Sequence, residues 1–109
     1  MEVLGTFGLA TFIGYVKYFQ PSKEGFLQAF CVGTCLTCMI LLTGSTSGAC
    51  LNPAVGIAQT VFMSVFLGYP LTKLWIYTAA PLTGGILAGA WLNLNELLYN
   101  ALNKDDDKI

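Results

Sequence analysis

The sequence predicts an all-α membrane protein with three transmembrane helices and one re-entrant half-helix. Three observations point there. Of the 109 residues, 55% are hydrophobic and only 10% are charged, whereas an ordinary soluble domain carries about 25% charged residues. The apolar residues gather into three long segments that show no alternation of period two. Between the second and third of these lies an Asn-Pro-Ala tripeptide, in a stretch almost free of charge.

Each element follows in turn. A first helix is expected over about 2–19, where Val3 to Phe19 carries a single charge, Lys17. A second is expected over about 25–43, since Phe26 to Thr43 carries none. The third is expected over about 71–99, uncharged from Leu74 to Trp91 and with Glu96 near its end. A spanning helix needs about 20 apolar residues, and the lack of alternation argues against a membrane β-barrel. The polar connection Pro21 to Gly25 is short enough to make the first two helices antiparallel neighbours. Residues 1–102 thus form one membrane module, and 103–109, ending Lys-Asp-Asp-Asp-Lys-Ile, form a solvated charged tail. Lys17, Lys23, Lys104 and Lys108 fall on one side of this topology and Lys73 on the other. The positive-inside rule places the first connection and the tail on the cytoplasmic or matrix-like face. The start, Met1-Glu2, shows neither a cleavable signal nor an Arg-rich presequence. The membrane is therefore not specified, and an organellar one such as the mitochondrial inner membrane stays open.

The segment from Gly44 to Lys73 is the unusual one. A loop of that length in water would be polar, yet Ala54 to Ala58 and Thr60 to Leu67 are apolar and too short to cross. Gly44 to Leu51 reads as a flexible lead-in of small residues. Asn52 has the chemistry of an N-cap, and Pro53 suits the first helical position, where a missing N–H costs nothing. A half-helix over about 52–66 follows, closed by Gly68 and Pro70. Its positive end points into the membrane interior, where free amide donors orient water and repel cations.

Several function classes drop out. There is no histidine, which removes the commonest general base and metal ligand. With few carboxylates as well, no catalytic constellation assembles, so no enzyme and no cofactor are expected. A net charge of −1 offers no basic patch for nucleic acid. Cys31, Cys35 and Cys38 share one helix face and are expected to be small buried packing residues, not metal ligands or disulfide partners. Ala80, Gly84 and Ala88, and likewise Gly85 and Gly89, have the small-xxx-small spacing that lets helices approach closely.

Three motifs together resemble the aquaporin, or major intrinsic protein, family, and in particular its C-terminal half. They are Glu2-Val-Leu-Gly-Thr6, Gly48-Ala-Cys-Leu-Asn52-Pro53-Ala54, and Trp75-Ile-Tyr77 running through Pro81-Leu82 to Gly84-Gly85. The resemblance implies that Asn52 donates its side-chain amide to water at a pore centre, with Pro53 and Ala54 completing the motif. It implies that Glu2 braces the loop backbone, and that the carbonyls of Gly48, Ala49, Cys50 and Leu51 form a ladder of water acceptors. Because only Met1 precedes Glu2, a second placement near the headgroups also stays open. Three departures qualify the resemblance. Val55 stands where the family places an arginine, and the filter position on the preceding helix falls on Ile40, making an apolar filter. Only one repeat is present, whereas the family's pore lies between two inverted copies. The expected partners are therefore the lipid bilayer and a second membrane chain that supplies the missing half. In that reading the module is a channel for water or a small neutral solute only when paired. The alternative is a structural accessory subunit of a larger assembly, such as an organellar respiratory complex.

Overall fold

A computed structural model describes residues 1–19 and 24–106. They form four α-helices and one short 3-10 turn: α1 (Glu2–Tyr18), α2 (Gly25–Ser47), α3 (Pro53–Leu67), the turn Leu71–Lys73, and α4 (Leu74–Asp106). Among the described residues there is no strand, so the molecule is all-α. One helix, α2, is long and apolar enough to cross a bilayer, and α3 is a shorter apolar helix.

The elements differ from expectation at their ends. Helix α2 runs four residues past Thr43, so the first half of the lead-in is helical and the helix stops where Gly48 takes a left-handed conformation (φ 88°), the usual glycine termination of a helix. Helix α4 continues through Asp106, so the start of the expected tail is helical. Its last residues, 107–109, and most of the first connection, 20–23, lie outside the described residues. At about 1.5 Å per residue, α3 spans about 22 Å and α4 about 50 Å, against a hydrocarbon core of about 30 Å.

Six threonines within these apolar helices are satisfied by their own backbone, whereas the buried Thr11 hydroxyl has no partner among the described residues. Hydroxyls of Thr34, Thr37, Thr43, Thr60, Thr78 and Thr83 each donate to the carbonyl four residues earlier, at 2.7–2.9 Å. In a medium without water, this bond removes the cost of an unpaired hydroxyl.

Helix α1 is the hub, packing against both α2 and α4, while α3 packs on α4. Along α1, Gly5 faces Thr43 and Gly8 faces Met39, so α1 and α2 run antiparallel. Gly84 faces Val3, Thr6 and Phe7, and Gly14 faces Leu92, so α1 and α4 run parallel. Lys17 and the C-terminal end of α4 therefore share one end of the molecule and Lys73 lies at the other. Of the two small-residue series, Gly84 and Ala88 are buried at the α1 seam and Ala80 is half-buried beside them, whereas Gly85 and Gly89 meet nothing.

Proline 81 joins α3 to this frame. It is among the most deeply buried side chains, and as a proline it cannot donate to the carbonyl of Tyr77 four residues before it. That carbonyl faces Gly56 of α3, where a Cβ would sit 2.7 Å from the oxygen. The freed acceptor thus meets a backbone with no side chain in the way, an arrangement suited to a Cα–H···O contact.

The three cysteines of α2 are not buried within this chain, contrary to expectation: Cys38 is exposed, Cys31 and Cys35 are half-exposed, and all are free thiols. They line an apolar groove with Phe12 and Phe30, because α2 covers only one side of α1. No metal-binding group occurs among the described residues.

Gly84→Ala should lower the thermal unfolding midpoint of the detergent-solubilised protein, since its Cβ would sit 2.6 Å from the Val3 carbonyl oxygen and overpacking costs about 1–3 kcal/mol. The adjacent Gly85→Ala, in open space, should leave the midpoint unchanged or raise it.

Candidate pore-lining loop

The loop 48–52 joins the end of α2 to the start of α3 and has an unusual backbone. Gly48, Ala49 and Leu51 all have positive φ, at 88°, 54° and 51°. For a non-glycine residue the left-handed region costs about 1–2 kcal/mol, so two such residues need support from outside the loop.

Glu2 supplies it. The side chain is 3% exposed, inside the bundle. Its Oε2 accepts from the Leu51 N–H at 2.8 Å, and its Oε1 accepts from the Cys50 N–H at 3.2 Å and the Ser47 hydroxyl at 2.6 Å. Hydrogen bonds to a charged group contribute about 1.5–3 kcal/mol each, so three of them outweigh the strain of two left-handed residues. One turn along α1, Thr6 donates its hydroxyl to the Leu51 carbonyl at 3.2 Å. Glutamate and threonine four residues apart share a helix face, so one face of α1 grips both the N–H and the C=O of Leu51.

The Leu51 oxygen is engaged inside the bundle, and the residue is 5% exposed. Its side chain lies over Gly5, where an added Cβ would come within 2.5 Å of Leu51 Cδ2. Leu51 anchors the loop to α1 through both its backbone and its side chain. Gly48 is exposed, and Ala49 and Cys50 are half-exposed.

Asn52 is extended (φ −143°, ψ 126°), and its Oδ1 accepts from the Ala54 N–H at 2.9 Å. This is the N-cap geometry, with Pro53 at the first turn. The cap consumes the acceptor and leaves the Nδ2 amide, a donor with no partner among the described residues, on an exposed side chain. Pro53 is half-buried and Ala54 exposed. Val55 is exposed, and so is Ile40 on α2. Helices α2 and α3 do not pack against each other, so the structure does not bring Ile40 and Val55 together through their helices.

A cavity of about 280 Å³ lies between the loop, one face of α3 and the start of α4. Ser47, Gly48 and Cys50 form its loop wall, Gln59 and Thr60 its α3 wall, and Tyr69, Lys73 and Tyr77 its third side. Cys50 Sγ approaches Gln59 Oε1 at 3.6 Å, tying loop to half-helix. Sequence reasoning missed Ser47, Gln59 and Lys73. The i, i+4 spacing of Glu2 and Thr6 was the one signal for Thr6's role, whereas nothing in the sequence joins Ser47 to a residue so distant along the chain.

The structure is thus an all-helical bundle in which a buried carboxylate holds the loop between two helices. Residues 1–92 match the Major intrinsic protein family, and the chain belongs to that family. Similar curated proteins include a probable aquaporin TIP-type of Medicago sativa, 32% identical over 91 residues that make up 82% of this chain and 34% of the relative. Aquaporin TIP1-1 of Arabidopsis thaliana is 33% identical over 81% of this chain and 34% of its own length. Aquaporin TIP1-1 of Zea mays is 34% identical over 101 residues, 91% of this chain and 37% of the relative. The chain therefore spans about a third of the length of the curated relatives it matches. No solved structure gives a significant match. Membership makes this an integral membrane protein of a channel family, and its relatives are channels, not enzymes.

Glu2→Ala should leave the Leu51 and Cys50 amides without their acceptor and accelerate their hydrogen–deuterium exchange, by about fivefold to a hundredfold for about 1–3 kcal/mol lost at each. Thr6→Val should produce a smaller acceleration. Ala49→Gly relieves a left-handed alanine (φ 54°) and should raise the unfolding midpoint.

Proposed function

We propose that this chain is one half of a channel pore for water or a small neutral solute. Helices α1, α2 and α4 are its three spans and α3 is a re-entrant half-helix ending near the membrane centre. The observation that carries the reading is the division of labour at Asn52. Its oxygen caps α3, and its amide is left to donate to a passing molecule beside the half-helix's positive end. Gly48, Ala49 and Cys50 supply acceptors along the approach.

One half-helix does not close a pore. In this reading a second, inverted half faces Asn52, supplied by another chain or by another part of a longer one, and the module alone does not conduct. Lipid surrounds the remaining faces: Phe26, Phe30, Leu41 and Leu42 of α2 are all exposed, as suits side chains whose solvent is hydrocarbon.

A second reading, a structural subunit kept for its packing surfaces inside a larger membrane assembly, is favoured by Val55 and Ile40. Neither side chain can donate a hydrogen bond, so the polar filter of a water channel has no counterpart at these positions.

Vesicle swelling followed by light scattering separates the two. Vesicles holding this chain alone should swell at the lipid rate. Vesicles holding the native assembly extracted from its membrane should swell faster, and Asn52→Ser, which keeps a capping oxygen but loses the amide, should reduce that excess by about fivefold, the value of one hydrogen bond. A native assembly that swells no faster than lipid would leave the structural reading standing.

A further inference from the structure

A second cavity, of about 730 Å³, lies at the far end of the molecule from the loop, between the end of α1 and residues 89–100 of α4. Gly89 and Leu92 line it toward the membrane interior, and Tyr18, Phe19 and Tyr99 supply aromatic rings. Asn93, Glu96 and Asn100, at i, i+3 and i+7, put three polar side chains on one wall. Glu96 is the one lining residue with a formal charge. Asn95, outside the cavity, donates to the Trp91 carbonyl at 2.8 Å, whereas Asn93, Glu96 and Asn100 have no partner among the described residues. The depth of this wall follows from α4. Leu74 to Leu92 carries no charge and at about 1.5 Å per residue spans about 28 Å, close to the hydrocarbon thickness of about 30 Å. The polar wall therefore begins where hydrocarbon ends, at the level where tyrosines such as Tyr18 and Tyr99 are favoured.

We propose that this cavity binds the headgroup of a phospholipid that bears a primary ammonium, the chemistry of phosphatidylethanolamine. The proposal rests on α4 being a span, and holds whether or not a pore forms. A primary ammonium has three N–H donors, and the Glu96 carboxylate, two amide oxygens and the phenolic oxygens are there to accept them. Aromatic faces attract the same charge. Lys17 stands beside the cavity, its Nζ 5.8 Å from the centre of the Tyr18 ring, where it can pair with the phosphate of the same headgroup. Lys104 is about 12 Å further along α4. A carboxylate in the cavity and an ammonium beside it match a zwitterion. A choline headgroup has no N–H to offer Glu96 and the asparagines, and a serine headgroup adds a carboxylate that Glu96 repels. The acyl chain has a path as well. Gly85 and Gly89, one turn apart on the same face of α4, meet nothing, so a track free of side chains leads from the cavity toward the membrane interior.

The test places the full chain in phosphatidylcholine nanodiscs that also hold a small, equal fraction of a photoreactive lipid with a diazirine on its acyl chain. Three preparations differ only in the headgroup of that lipid: ethanolamine, choline or serine. After illumination, mass spectrometry locates lipid on the protein. Label within residues 85–100 should be about threefold to tenfold greater for ethanolamine than for choline or serine. Glu96→Gln should bring the ethanolamine lipid down to the choline level while leaving the unfolding midpoint unchanged, since Glu96 is exposed and bonds nothing among the described residues. Lys17→Gln should lower all three lipids alike, because each carries the phosphate. Equal labelling by the three lipids, or an ethanolamine excess that survives Glu96→Gln, overturns the proposal alone. Absence of label from every lipid at residues 86–92 in a monomeric chain overturns the spanning reading together with the proposal. The same absence in a chain that native mass spectrometry shows to be a dimer puts a second copy in the groove, and overturns the lipid while leaving the span.

Discussion

A carboxylate at the second residue of α1 holds a loop that could not hold itself. Residues 48–51 leave α2 and reach α3 in four steps, and three of the four have a left-handed backbone. That path turns the chain sharply enough to start a new helix within the bundle, but it leaves the Cys50 and Leu51 N–H groups without helical partners. In water they would be solvated. Within a membrane bundle each must find an acceptor or cost the molecule several kcal/mol. Glu2 meets both, together with the Ser47 hydroxyl, and those donors in turn make a buried carboxylate tolerable without a cationic partner. The interaction is mutual: neither the loop conformation nor the buried Glu2 is reasonable alone.

The remaining packing keeps that grip in register. Leu51 presses onto α1 at Gly5, so the loop is fixed by an apolar contact as well as by polar ones. Helix α3 is held at its other side by Gly56 against the Tyr77 carbonyl that Pro81 leaves free, and α4 is held to α1 through Gly84. Three glycines thus mark the three close approaches that fix α3 and its loop. Where a helix has no such approach, as on most of α2, large apolar side chains face outward, and lipid or another protein must cover them.

Asn52 divides its side chain between a used acceptor and an unused donor. Capping α3 needs an oxygen; donating a hydrogen bond elsewhere needs an N–H. An amide provides both, and the cap fixes which end faces away. Aspartate would cap as well but bring a negative charge and no donor. The same economy does not extend to Val55, which leaves position 55 without a hydrogen-bonding group.

Much of this was legible in the sequence, because it depends on local chemistry. Asn52-Pro53 at the head of an apolar run announces a helix start, an uncharged composition announces a lipid environment, and Glu2 and Thr6 at i, i+4 share a face whatever the fold. Family membership rests on such local strings. What the sequence could not disclose is what depends on residues far apart along the chain. The lead-in looked flexible because Gly, Ser and Thr have weak helix propensity, yet it is helical through Ser47, whose single hydroxyl proton is shared between Glu2 Oε1 at 2.6 Å and the Thr43 carbonyl at 3.2 Å. That Leu51 also anchors the loop was hidden, because Thr6 and the space over Gly5 come from α1, far along the chain. Helix α4 outran its expected end because its last turns are fixed by backbone hydrogen bonding, and charged residues there do not prevent it. Patterns of one helical turn determine where helices begin and which faces they offer; only the packed bundle decides which backbone groups are left without partners, and therefore which side chains must turn inward to meet them.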